Sequence, residues 1–304
     1  MMEERGFIFM QRRYFQKPVQ RIDIHVHLGM DDECFNAEER MQFDAMMGIE
    51  HSILLPYPIE DAIQTQTIMN TDSVIEVVKR YPEHYSFFCN IDPNERNIEE
   101  KLKEYKALGA KGVGEFATKI PFDDERMDRI YEACAKLDLP ILFHISPSGR
   151  SAYGIIDHKG LPLLEKVLQK HPNTIFIGHS QPFWYELAVY DTSIPDEALN
   201  GFPFSKVKEE GKVVELMRKY PNLYADLSAN SGSNAILRDE EYGLYFLHEF
   251  ADRLFFGSDL LNTKDVIFPI GQMLDYYLFS GKLEEDVYIK ICKENAEKMI
   301  LNKE

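Results

Sequence analysis

Short apolar runs alternate along the chain with longer segments whose apolar residues recur at helical spacing. A helical segment often ends in basic residues and a proline, as in Val77–Pro82 before the run Tyr85–Ile91. Basic side chains suit the negative end of a helix dipole, and proline cannot continue a helix. Runs that are mostly apolar are typical of strands buried on both faces of a parallel sheet. Eight such strands are predicted: Arg21–His27, His51–Pro56, Tyr85–Ile91, Lys111–Phe116, Leu139–Ile145, Thr174–His179, Leu223–Leu227 and Leu254–Ser258.

This alternation predicts an α/β fold with a parallel sheet. Eight units spaced by roughly 30 residues fit a closed (β/α)8 or TIM barrel in a single domain. An open doubly wound sheet is the alternative, but it usually carries a glycine-rich phosphate turn after its first strand, and residues 27–30 do not form one. We expect the barrel at about residues 20–301, with an N-terminal extension at residues 1–19. Residues 181–205 are predicted to be an insertion that forms part of a substrate lid, or else a packing or oligomer-contact loop.

Polar residues end several of the predicted strands, and the carboxyl ends of barrel strands meet at one rim. His25 and His27 are two residues apart, so they point to the same side of the first strand. Only 9 of the 304 residues are histidine, yet four of them lie at such ends. Each residue alone also fits a structural role, but imidazoles and carboxylates gathered at one rim predict a metal site. The residues are His25, His27, Glu115, His144, His179 and Asp259.

In this order the residues resemble the amidohydrolase superfamily. The run from Leu254 to Asp259 resembles the branch that includes aminocarboxymuconate semialdehyde decarboxylase and pyrone dicarboxylate lactonase. The resemblance covers about residues 20–301. It implies a divalent metal, with Zn²⁺ favoured and Mn²⁺ as the alternative, and a homodimer. It also implies that His179 faces the substrate as an acid or polarising group. The metal ligands it implies are His25, His27, His144 and Asp259.

Glu115 departs from that pattern. Many two-metal members carry a modified lysine at the end of the fourth strand, whereas the decarboxylase-like members often have no ligand there. A glutamate at this position resembles members in which it binds or bridges a second metal, including the TatD-type nucleases. Two possibilities remain open at this point: one ion with Glu115 beside the ligands or the substrate, or two ions bridged by Glu115.

The activity implied by the resemblance is hydrolysis of an amide, ester or lactone bond in a small organic acid. A metal-activated water would attack the carbonyl carbon, and Asp259 would accept its proton. The alternative is a metal-dependent, non-oxidative decarboxylation of a small unsaturated or aromatic carboxylate. TatD-like phosphodiester hydrolysis and a metal-binding barrel without catalysis are further alternatives.

Three residues are candidates for binding the substrate. Arg150 follows the fifth strand and Arg238 follows the seventh, and arginine binds carboxylates through two parallel hydrogen bonds. Trp184 lies in the predicted insertion and is a candidate pocket residue. For the two arginines the alternative is a solvent-exposed structural role, and for Trp184 it is packing.

Composition narrows the partners. The net charge of −17 disfavours a nucleic acid, which needs clustered Lys and Arg. No apolar run approaches the ~20 residues that span a bilayer. The four cysteines show no Cys-x-x-Cys spacing, which is typical of reduced thiols in a cytoplasmic protein. The expected partner is therefore a small molecule, a carboxylate by the resemblance, with neither nucleic acid nor membrane.

Overall fold

A computed structural model describes residues 20–29, 34–58, 69–147, 153–261 and 269–302. The predicted N-terminal extension and Arg150 lie outside these ranges. Eight strands follow one another in the predicted order, and a short ninth strand pairs beside the fifth. The strands are β1 (Arg21–Val26), β2 (Ile49–Leu54), β3 (Tyr85–Phe87), β4 (Val113–Phe116), β5 (Ile141–Ser146), β6 (Ile155–Ile156), β7 (Phe176–His179), β8 (Leu223–Asp226) and β9 (Leu254–Phe255).

Parallel pairing joins β1, β2 and β3 in one sheet and β4, β5, β7, β8 and β9 in another. Isolated parallel bridges connect the edges of the two sheets, one between Cys89 and Val113 and one between Val26 and Leu260. The strands therefore follow one another around a barrel, which confirms the predicted fold and all eight predicted strands. The carboxyl ends of β1, β4, β5, β7, β8 and the segment after β9 accordingly meet at one rim.

Helices fill the connections, and their ends follow from local sequence. Asn36 accepts a hydrogen bond from the backbone of Glu39, whose side chain in turn accepts from Asn36, so the first helix starts with a capping box. The helices are α1 (Ala37–Met47), α2 (Thr71–Arg80), α3 (Ile98–Ala107), α4 (Glu125–Lys136), α5 (Pro162–Lys170), α6 (Gln181–Tyr185), α7 (Lys212–Lys219), α8 (Ala229–Leu237), α9 (Glu240–Glu249), α10 (Pro269–Ser280), α11 (Glu285–Ile289) and α12 (Asn295–Met299). None of the helices in the described part of the chain is both long and apolar enough to cross a membrane.

Two apolar clusters stabilise the barrel. The larger one lies between the strands and the surrounding helices, where Phe122 packs on Phe143 and Phe176, and Phe176 also packs on Tyr131. The smaller one is contributed by the other faces of the strands, and residues of the last helical segment pack into it. Its members include Ile22, Ile24, Ile53, Phe88, Leu142, Ile177, Phe255, Ala296 and Ile300.

The predicted insertion contains α6 and a 3₁₀-helix at Asp196–Asn200. It contacts the loop after β6, where Glu186 accepts a hydrogen bond from Gly160 and Lys159 pairs with Asp196. Phe204 in this segment is 87% exposed. A role as a substrate lid stays a prediction.

A buried ion-pair network joins α1 to β1 and to the segment after β9. Arg40 is fully buried and pairs with Asp23 at 2.6 Å and with Asp44 at 2.6 Å. The other oxygen of Asp23 accepts from the backbone N–H of Ser258 at 2.9 Å and of His25 at 3.1 Å. Because Asp259 follows Ser258, this network sets the position of Asp259 relative to His25.

Replacing Arg40 with Met should lower the free energy of unfolding by about 3–5 kcal/mol, because two buried carboxylates would lose their cation. Urea denaturation followed by circular dichroism measures the change. Lys79→Met is the matched control, since Lys79 pairs with Glu76 at the surface and such pairs contribute little. Equal stability of the two variants would contradict the role assigned to Arg40.

Candidate metal centre

Three imidazoles converge on Asp259 at the rim of the barrel. The Nε2 atoms of His25 and His27 lie 3.3 and 3.5 Å from Oδ1 of Asp259. The Nε2 atom of His179 lies 3.5 Å from Oδ2 of the same carboxylate. Two atoms that bind one tetrahedral zinc ion at ~2.1 Å are about 3.4 Å apart, so these spacings are those of ligands to a common ion.

Glu115, on β4, shares two of these imidazoles with Asp259, those of His27 and His179, and also contacts His144. Its Oε1 atom is 2.7 Å from Nδ1 of His144 and 3.8 Å from Nε2 of His179. Its Oε2 atom is 3.6 Å from Nε2 of His27. The side chain is almost completely buried, so its contacts are with protein groups rather than with bulk water.

Each of the two carboxylates contacts imidazoles through both of its oxygens. Asp259 contacts His25 and His27 through Oδ1 and His179 through Oδ2. Glu115 contacts His27 through Oε2, and His144 and His179 through Oε1. Ligand atoms of His25, His27 and Glu115 lie within 4.8 Å of one another, and so do those of Glu115, His144 and His179. This arrangement fits two neighbouring ions as well as one.

Asp226, which ends β8, orients two of the rings. Its Oδ2 atom is 2.7 Å from Nδ1 of His25 and 3.1 Å from Nδ1 of His179, and Ser228 Oγ donates to it at 2.6 Å. The Nδ1 atom of His27 is 2.9 Å from the carbonyl oxygen of Leu55. An acceptor behind Nδ1 leaves the lone pair on Nε2, which is the form that binds a metal.

His144 is oriented the other way, because its Nδ1 atom contacts Glu115 directly. Burial lowers its pKa and outweighs the effect of that carboxylate. The ring is therefore neutral at physiological pH, as a metal ligand must be.

The charges of the cluster indicate that a cation belongs in it. Burial alone would raise the pKa of Glu115 and of Asp259, but the neighbouring imidazoles hold both pKa values below the usual range. Burial acts to lower the pKa of His27, yet its bonds to Asp259 and Glu115 raise it to about 10. Burial also acts to lower the pKa of His179, but its hydrogen bond to Asp226 and the charge of that carboxylate raise it to about 9. Protons on imidazoles thus balance ionised carboxylates, and a divalent ion would displace those protons.

Backbone geometry holds Asp259 in place. Its N–H donates to the carbonyl oxygen of His25 at 2.8 Å, and its φ of 56° lies in the left-handed region, which Asp tolerates better than most residues. Gly257 passes so close to Asp226 that a Cβ at residue 257 would lie 2.7 Å from a carboxylate oxygen. A side chain at that position would therefore displace Asp226 or shift the backbone that leads to Asp259.

Two of the predicted substrate-binding residues, Trp184 and Arg238, lie in the described part of the chain. Trp184 is buried; its indole N–H donates to the carbonyl oxygen of Asp226, and its ring packs on Phe183 and Phe246. Arg238 follows α8, and its Nε and one terminal nitrogen are buried without a hydrogen-bond partner. Substrate-binding roles for Trp184 and Arg238 stay predictions, as does the role of Arg150.

Sequence reasoning missed two residues of the site. Asp226 ends a strand just as the predicted ligands do, so the criterion of polar strand ends would have found it. Tyr153 lies in the loop after β5, and its hydroxyl donates to Oε2 of Glu115 at 2.7 Å. A loop tyrosine carries no comparable pattern in the sequence.

The family model described as Amidohydrolase matches residues 22–300. No curated protein sequence matches the chain.

Solved structures with the same fold are distant in sequence. An uncharacterised TIM-barrel protein from Bordetella bronchiseptica is 16% identical, with a TM-score of 0.64 over 93% of this chain and 99% of that one. The 5-carboxyvanillate decarboxylase of Novosphingobium aromaticivorans, complexed with manganese and a nitrobenzoic acid, is 16% identical, with a TM-score of 0.61 over 94% and 97%. A probable 2-pyrone-4,6-dicarboxylic acid hydrolase from Acinetobacter baumannii, with citric acid bound, is 12% identical, with a TM-score of 0.54 over 93% and 99%.

Replacing Asp226 with Asn should weaken metal binding by about 10- to 100-fold, because two imidazoles would lose the charged acceptor that orients them. Competition with a chromophoric zinc chelator measures the affinity. Asp157→Asn is the matched control: Asp157 is equally buried, and it accepts from the backbone N–H groups of His158, Leu163 and Leu164. Similar affinity in the two variants would show that Asp226 does not act through the rings.

Proposed function

Because the chain belongs to the amidohydrolase family, we propose that it is a metal-dependent hydrolase of an amide, ester or lactone bond in a small organic acid. The observation that carries the proposal is the pair of carboxylates, Glu115 and Asp259, each of which contacts His27 through one oxygen and His179 through the other. Two ions held between these carboxylates would suit attack by water on a carbonyl carbon.

The proposal assigns His25 and His27 to one ion, and His144 and His179 to the other. This differs from the expectation from sequence, in which His144 shared the ion of His25 and His27 and His179 faced the substrate. The reason is that Glu115 Oε1 faces His144 and His179, whereas Oε2 faces His27. We propose Zn²⁺ for both positions because of the imidazole-rich ligand set, with Mn²⁺ as the alternative.

Bound divalent ions supply Lewis acidity and bring the pKa of a coordinated water from 15.7 to roughly 7. Asp259 is the carboxylate best placed to move the proton. Its side chain is 25% exposed, whereas those of Glu115 and Asp226 are 6% and 0% exposed. In the proposed reaction Asp259 accepts a proton from water and returns it to the leaving group.

A carboxylate on the substrate needs a cationic partner. Among the described residues Arg238 offers two buried guanidinium nitrogens without hydrogen-bond partners. Leaving such donors unpaired is costly, and a carboxylate would satisfy both. We therefore keep Arg238 as the proposed carboxylate-binding residue.

Decarboxylation is the second candidate. It is supported by the structural likeness to the manganese-bound 5-carboxyvanillate decarboxylase. The stacked rings of Tyr57 and Tyr153 beside His144 would also suit an aromatic acid. This candidate needs only one ion, which makes the metal content decisive.

The purified protein should bind two equivalents of Zn²⁺ per chain, and Glu115→Gln should bind one tightly, because the substitution removes the shared anionic ligand. Elemental analysis after dialysis measures both. The two-ion protein should hydrolyse members of a panel of lactones, esters and amides without releasing CO₂. One equivalent in the wild type together with CO₂ release from aromatic acids would favour decarboxylation instead.

Asp259→Asn should retain metal but lose about 10²- to 10⁴-fold in kcat, the usual contribution of a positioned acid or base. Metal content and steady-state rates are measured on the same sample. Asp252→Asn is the control, since Asp252 pairs with Lys290 just before β9, at the opposite end of that strand. A variant at position 259 with nearly normal kcat would rule out the proposed proton transfer.

A further inference from the structure

Tyr153 contacts the carboxylate on which the two-ion arrangement depends. Its hydroxyl donates to Oε2 of Glu115 at 2.7 Å, and Nδ1 of His144 contacts Oε1 at 2.7 Å. The two oxygens of Glu115 are therefore held separately, one by a phenol and one by an imidazole. Rotation of the carboxylate about its terminal bond would break the hydrogen bond from Tyr153, whether His144 contacts Oε1 directly or through a bound ion.

The aromatic ring of Tyr153 is itself fixed on two sides. It packs edge-on against His144 with ring centroids 4.7 Å apart, and it stacks on Tyr57 at 5.6 Å. The hydroxyl thus reaches Glu115 from a ring that is already in place, so little side-chain entropy opposes the hydrogen bond.

The backbone beside Tyr153 is anchored to the barrel. Residues 155 and 156 form β6, which pairs with the end of β5. Gly154 makes this approach possible, because it has a φ of 132° and a Cβ there would lie 2.7 Å from the backbone of Ile145 and Ser146. Gly154 and β6 therefore hold the backbone beside Tyr153 against the end of β5.

The hydroxyl of Tyr153 donates to Oε2, the oxygen of Glu115 that faces His27. Oε2 of Glu115 is also 3.6 Å from Nε2 of His27. A phenol ordinarily loses its proton only near pH ~10, so the hydroxyl of Tyr153 is protonated and donates at neutral pH. A neutral donor orients the carboxylate and leaves its charge available to the ions.

We propose that Tyr153 is a positioning residue that fixes the plane of the Glu115 carboxylate. Oε1 thereby stays directed to His144 and His179, and Oε2 to His27. The proposal deepens the two-ion function and rests on it for its catalytic meaning. Its direct consequence concerns metal binding, which is measured without any substrate.

The test is a comparison of stepwise Zn²⁺ affinities by chelator competition in the wild type, Glu115→Gln, Tyr153→Phe and the double variant. Phenylalanine keeps the ring packing and removes only the hydroxyl. Tyr153→Phe should weaken the binding step that depends on Glu115 by about 10- to 100-fold and leave any other step unchanged. In the Glu115→Gln background the same substitution should change nothing further.

Tyr190→Phe is the matched control, because Tyr190 donates to the buried carboxylate of Glu186 at 2.6 Å outside the cluster. It should bind Zn²⁺ like the wild type. The visible spectrum of the Co²⁺-loaded protein gives a second measurement, and Tyr153→Phe but not Tyr190→Phe should alter it.

Three results would overturn the proposal: wild-type affinities in Tyr153→Phe, equal weakening with and without Glu115, or no Zn²⁺ step that depends on Glu115. Failure of the proposed function is distinguishable. A wild type that binds a single ion would remove the two-ion function, while Tyr153 would still be judged on whether that one step depends jointly on Glu115 and on the hydroxyl.

Discussion

A buried imidazole presents Nε2 to a metal only when an acceptor lies behind Nδ1, and this requirement organises the whole rim. Asp226 meets it for His25 and His179 at once, and the carbonyl oxygen of Leu55 meets it for His27. The acceptor behind two of the rings is the carboxylate of Asp226, which is fully buried. Asp226 therefore adds a negative charge beside those of Glu115 and Asp259. Together these carboxylates strongly favour the binding of cations.

Hydrogen bonds and ion pairs also fix the residues that carry Asp259. Asp259 is held to β1 by a backbone hydrogen bond to His25, and Ser258 is held by Asp23, whose charge is balanced by the buried Arg40. Hydrogen bonds and ion pairs have directions, whereas apolar packing does not. The relative position of β1 and the segment after β9 thus depends on polar contacts. Apolar residues in place of the whole network could give a stable fold, but they would not fix that position. The apolar clusters keep the barrel together, and the polar network places its ligands.

Much of this followed from sequence for a physical reason. Parallel strands buried on both faces give apolar runs, and their polar terminal residues meet at one rim. The sequence therefore predicts that His25, Glu115, His144, His179 and Asp259 lie close together, as they do. What the pattern did not contain was ring orientation. His144 meets Glu115 through Nδ1 while His179 faces it through Nε2, and only the acceptors behind the rings decide this. Tyr153 depends on the close approach of β6 to β5, which no local pattern encodes.

Charge balance connects the number of ions with the kind of substrate. Three buried or largely buried carboxylates, Asp226, Glu115 and Asp259, lie among four imidazoles. One divalent ion leaves the cluster with a net negative charge, which would repel an anionic substrate near the rim. Two divalent ions leave it with a net positive charge, which attracts a carboxylate and stabilises the negative charge that develops on a carbonyl oxygen under attack. Because the chain as a whole carries a net charge of −17, a small anion approaching this protein needs a local positive field to bind. In the proposed two-ion arrangement, the orientation of the Glu115 carboxylate would decide whether a second ion, and with it that positive field, is present.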